Sequence, residues 1–148
     1  MDTKSKLDNA LKEALRSGDE VRKRTIRMVR AAIKQAEVDR QIVLDEAGVI
    51  AILQKEVKKR REALEEAKKA QREDLAQEAE AEIAVLEEFL PEAMSEEELR
   101  SLAKAVIAEV GAETPADMGK VMKALLPRVA GRAPGGQVSQ VVRELLQK

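Results

Sequence analysis

Residues 49–90 read VIAILQKEVKKRREALEEAKKAQREDLAQEAEAEIAVLEEFL, and two apolar stripes run through them. Val49, Ile50, Leu53, Val57 and Leu64 keep helical spacing, and Leu75, Ala79, Ile83, Leu86 and Leu90 recur at steps of four, four, three and four. Asp45 can cap the first helix by accepting its free amide hydrogens. If that helix reaches Ala70 it is about 36 Å long, more than the core of so small a chain covers, so its far end projects. The second stripe must return beside it. Residues 45–90 are therefore expected to form a long antiparallel helical hairpin with its tip near 70–74.

Upstream, Leu7, Leu11, Ala14 and Leu15 predict a helix over 3–17, closed by Ser17-Gly18-Asp19. A second helix over 20–40 carries Ile26, Val29, Ile33 and Ala36 on its apolar stripe and a basic face opposite. The sequence 41–44 breaks it. Downstream, Pro91 stops the hairpin, and Ser95 with Glu98 reads as a capping box that opens a new domain. Leu99, Leu102, Val106, Ile107 and Val110 line a fifth helix ended by Gly111. Thr114-Pro115 starts a sixth, burying Met118, Val121, Met122 and Leu125 and ending at Pro127. Val138, Val141, Val142, Leu145 and Leu146 line a seventh after the loop 127–136. The fold class expected is all-α: an N-terminal helical domain over 1–92 with the hairpin, then a small three-helix tail domain over 93–148.

Composition agrees with this architecture and narrows the chemistry. Phe89 is the only aromatic residue in 148, so the apolar mass comes from Leu, Ile, Val, Met and Ala. There is no cysteine and no histidine. That removes disulfides, thiolate metal sites and the Glu-x-x-His pairs of carboxylate di-metal bundles, and the acid cluster Glu78, Glu80 and Glu82 reads as a solvated face. Ser17, Ser95 and Thr114 sit at helix ends, while Ser101 and Ser139 lack a glycine elbow or a histidine base. No apolar run reaches membrane-spanning length, and the N-terminal stretch lacks the apolar core of a signal peptide. The expectation is a soluble cytoplasmic protein without metal, cofactor or catalytic residues and without membrane contact.

A net charge of -1 conceals segregation. Residues 20–40 hold seven basic residues against three acids, 62–98 hold fourteen acids against three basic residues, and 118–148 hold six basic residues against one acid. The cluster Lys55, Lys58, Lys59, Arg60 and Arg61 is interleaved with Glu56, Glu62, Glu65 and Glu66, and is expected to form salt bridges within its helix. The tail differs, because its cations stand among glycines. Gly119, Gly131, Gly135 and Gly136 punctuate 117–142, and Gly-rich connections opening onto a helix point bare amides outward at its positive dipole end. Lys120, Lys123, Arg128 and Arg132 with the Gly135-Gly136 helix start are thus candidate contacts for a polyanion. Arg22, Arg27 and Arg30 on the basic helix are a second candidate patch.

The segments EEFLPEAMSEEEL and DMGKVMKALLPRVAGRAPGGQVSQVVREL, preceded by RKRTIRMVRAAIKQAEVDR, resemble the YqeY-like family over essentially the whole chain. The tail also resembles the C-terminal tail domain of GatB, a subunit of the tRNA-dependent amidotransferase, with Gly119, Val121, Met122, Lys123, Gly131, Arg132 and Ala133 on that pattern. Pro134 stands where many YqeY-like proteins carry a capping aspartate. The resemblance implies a non-catalytic accessory protein contacting tRNA or another structured RNA, with an amidotransferase or other protein as a further partner. It also implies an inherited label of glutamine-dependent carbon–nitrogen ligase, although neither a phosphate-binding P-loop nor amidase residues are readable here. The alternative expectation is a protein-binding adaptor that docks a partner helix on the 45–90 hairpin.

Overall fold

The computed structural model describes residues 2–147, which form seven α-helices, one 3-10 turn and no strand among the described residues. The protein is all-helical. It divides into two compact units, Met1–Leu90 and Pro91–Lys148.

In the first unit, α1 (Thr3–Ser17), α2 (Glu20–Arg40), α3 (Glu46–Lys69) and α4 (Glu73–Glu87) start and stop where local chemistry dictates. Asp2, Asp19 and Asp45 accept hydrogen bonds from the amides of Ser5, Arg22 and Gly48, each satisfying a donor the helix itself leaves unpaired. Gly18 closes α1 at φ 76°, a conformation that costs glycine nothing. Leu7, Ile26, Val29, Val49, Leu53 and Leu86 are fully buried together, each contributing about 1.5–3 kcal/mol of burial free energy. Glu46 ties the beginnings of two helices together, its carboxylate accepting from the Thr3 amide at 3.0 Å and from the Thr3 hydroxyl.

Three sequence expectations change here. Leu15 is half exposed, and Thr3, on the face with Leu7 and Ala14, is buried in its place. Leu75 is likewise exposed, and Ala76 lies in the α4 seam with Ala79, Ile83 and Leu86, since a small residue lets α4 approach α3 closely near the turn. The third concerns Arg60, expected to form only salt bridges within its own helix. It is 7% exposed, and its guanidinium bonds Glu56 one turn back at 3.0 Å and Glu82 of α4 at 3.2 Å, with the Met28 Sδ of α2 at 3.7 Å. One arginine therefore joins three helices.

In the second unit, α5 (Glu96–Val110), the 3-10 turn Pro115–Asp117, α6 (Met118–Val129) and α7 (Gly135–Leu146) bury Leu99, Val106, Val121, Leu125, Val138 and Val142. Ser95 caps α5 through the Glu98 amide, but the Glu98 carboxylate turns to Arg132, so only half of the expected capping box forms. Pro127 does not end α6. The helix continues to Val129, which is buried with Leu125, and that burial offsets the hydrogen bond a proline cannot donate. Ala130 and Gly131 then make the left-handed exit at φ 52° and 78°.

Candidate nucleic-acid interface

Helix α7 begins at Gly135 with Pro134 in the capping position, and no side chain accepts a bond from its first turn. Its first turn also holds no acid. A proline cannot cap with a side-chain oxygen, so the Gly135 and Gly136 amides face outward at the positive end of a twelve-residue helix. Neither glycine has a positive φ, and a Cβ built on either meets nothing within 4 Å beyond its chain neighbours and its own helix backbone. Gly119, in the first turn of α6, is equally open. Backbone conformation and packing thus call for glycine at none of the three positions, although glycine inside a helix costs about 0.5–1 kcal/mol relative to alanine. What the three share is bare backbone at a helix start.

The tail cations separate into two kinds. Arg128 is paired with Glu109 of α5 at 2.8 Å. Arg132 donates to the Glu92 carbonyl and to the Glu98 carboxylate, both at 3.0 Å, while its own carbonyl accepts from Met94 at 2.8 Å. These bonds clamp the segment before α5 to the loop before α7. Lys120 and Lys123 are exposed on α6 one turn apart, with no ion pair among the described residues. Lys120 lies near Asp117, whose carboxylate accepts from the Glu113 and Thr114 amides and is held below the ordinary aspartate range chiefly by those two bonds. Along α6, Lys120 is about 14 Å from the Val129 end that leads into the α7 start. Lys120 and Lys123 therefore lie toward the start of α6, Arg132 and the two glycines at the start of α7, and Arg128 near the end of α6 against α5.

The three arginines of the N-terminal patch do not converge. Arg22 pairs with Glu88 and lies over the Phe89 ring at 5.7 Å, a position that fastens the end of α4 to α2. Arg27 lies about 140° round α2 from it. Arg27 and Arg30 instead line a groove between α1 and α2 together with Lys4 and Lys34. Lys34, which the sequence places on the basic face of α2, stands seven residues and nearly two full helical turns from Arg27 and so shares its side of the helix.

A family model described as Yqey-like protein matches residues 4–146, nearly the whole chain. The chain belongs to the YqeY-like family. Among relatives, a protein of Pyrenophora tritici-repentis named altered inheritance of mitochondria protein 41, mitochondrial, is 28% identical over 144 residues, covering 95% of this YqeY-like chain and 79% of its own length. The protein of the same name from Lachancea thermotolerans is 30% identical over 118 residues, 78% of this chain and 63% of that one. An uncharacterised protein of Schizosaccharomyces pombe is 37% identical over 68 residues, 46% of this chain and 55% of that protein.

These relatives correct the cytoplasmic expectation, since two of them are named as mitochondrial proteins. The physical reason is that a cysteine-free helical composition is common to both compartments and cannot separate them. No helix among the described residues is long and apolar enough to cross a membrane, and no three His, Cys, Asp or Glu side chains gather there as a metal site.

Proposed function

We propose that this YqeY-like protein is an RNA-interacting accessory protein whose C-terminal unit takes the phosphate backbone of tRNA, or of another structured RNA, on the exposed starts of α6 and α7. The supporting observation is the glycine set. Gly119, Gly135 and Gly136 are required by neither fold nor packing, and each leaves room for a ligand atom to reach the main chain. Lys120 and Lys123 supply mobile positive charge at the first start. Arg128 and Arg132 shape the unit through their ion pairs, and reach phosphates only by sharing or exchanging those partners. The role is binding, in line with the resemblance of this unit to the amidotransferase tail, in a protein whose N-terminal domain carries the 45–90 hairpin.

A second reading, a helical adaptor, is favoured by one observation on that hairpin. Leu75 is 44% exposed beside a groove floored by Ala63, Ala67 and Ala79. Capture from lysate with and without nuclease separates the two. The RNA reading expects a tRNA-sized pool that nuclease removes; one protein captured equally well after nuclease treatment supports the adaptor and contradicts the first reading.

A further inference from the structure

The groove between α1 and α2 has a volume of about 510 Å³ and an apolar floor that includes Leu7 and Ile33. Its charged wall is unevenly satisfied. Both carboxylates that face it are already engaged: Asp8 holds the Arg30 Nε at 2.8 Å, and Glu37 holds the Lys4 Nζ and accepts from the Leu44 amide at 2.7 Å. The Arg27 and Lys34 side chains are exposed and have no ion pair or hydrogen bond among the described residues. Seven residues apart, they sit on one face of α2, about 10 Å from each other along the helix axis, with Arg30 between them.

We infer that this groove is a second phosphate-binding site, in which Arg27 and Lys34 hold two phosphate groups of one ligand and Arg30, positioned by Asp8, lies between. A groove with two unpaired cations and neutralised acids attracts an anion. Arginine offers a planar fork of donors to phosphate oxygens and lysine a mobile point charge, so both bind phosphate without reading bases. Spaced cations along a helix suit a ligand with successive phosphates. Given the function proposed above, on which this choice of ligand rests, that ligand is the RNA backbone. Each unit then carries its own contact.

The test uses the full chain with a fluorescent tRNA, and separately with inorganic tripolyphosphate, while NMR follows the Arg27 Nε–H. Arg27→Gln and Lys34→Gln are each expected to weaken tRNA binding roughly fivefold near 0.1 M salt and to lower the log–log salt slope by about 0.7–0.9 per residue. Lys58→Gln, which removes an exposed lysine outside the groove, is expected to do neither. Tripolyphosphate moving the Arg27 signal while tRNA does not would support the site and assign it to a free phosphate compound. If neither ligand moves that signal and both groove variants bind like Lys58→Gln, the groove site is overturned. A Gly135→Ala, Gly136→Ala chain that loses affinity in the same assay would show the tail reading standing without it; a chain that binds neither RNA nor tripolyphosphate removes both.

Discussion

At the scale of single residues, Gly135 and Gly136 carry the functional argument and Arg60 the structural one. Alanine fits both glycine positions without strain, so the double variant Gly135→Ala, Gly136→Ala should gain about 0.5–1 kcal/mol in urea unfolding, because the unfolded chain loses freedom. The same variant should bind tRNA at least several-fold more weakly, as its methyl groups occupy the space a phosphate would use. Greater stability with weaker binding is the pattern of glycines retained for a ligand; greater stability with unchanged binding would remove the tail site. Arg60 behaves differently because its charge is compensated inside the protein. Arg60→Ala leaves Glu56 and Glu82 facing each other nearly out of water, and should cost about 3 kcal/mol. Arg61→Ala removes the exposed pair with Glu87 from the neighbouring position and should cost less than about 1 kcal/mol. Equal losses for the two variants, measured by urea unfolding, would show that the Arg60 cluster is no more than a surface pair.

At the scale of elements, the helix boundaries were readable because their causes lie within four residues of each end. Asp19, Asp45 and Ser95 cap the helices they precede, and Gly18 and Gly111 close the ones they follow. What failed to be legible depended on partners distant in sequence. Pro127 looked like a stop until the burial of Val129 was known, and Leu75 looked like a seam residue until Ala76 took that place. The ion pairs of Arg22, Arg128 and Arg132 follow from which helices pack together, and charge spacing along one helix does not encode that. Docking of α1 shows the same dependence and responds to pH. The Glu37 carboxyl is held below the ordinary glutamate range, first by the Lys4 ammonium and then by the Leu44 amide. A lowered folded pKa means that this stabilisation is fully present above the ordinary glutamate value and is lost as pH falls through the folded one. Acid titration of urea stability should therefore show a component that Glu37→Gln removes, whereas an unchanged acid profile in that variant would mean that Glu37 does not hold α1.

At the scale of the whole molecule, a chain of net charge -1 has no overall attraction for a polyanion, so RNA binding must come from local segregation of charge. Acids concentrate in α4 and at the start of α5, and the cations proposed to meet phosphate, Arg27 and Lys34 on α2 and Lys120 and Lys123 on α6, lie on other helices. Such binding is made of discrete phosphate contacts, each releasing counterions, and its strength must depend on salt in proportion to their number. An adaptor docking a helix against Leu75 and the alanine-floored groove would show little dependence. The affinity of the full chain for tRNA measured from about 0.05 to 0.2 M salt distinguishes these directly. The RNA-binding account predicts that log affinity falls linearly with log salt at a slope of roughly 0.7–0.9 per contact. The slope should become shallower when Lys120 and Lys123 are both replaced by glutamine. No measurable tRNA binding, or binding whose strength is flat across that range, would contradict it.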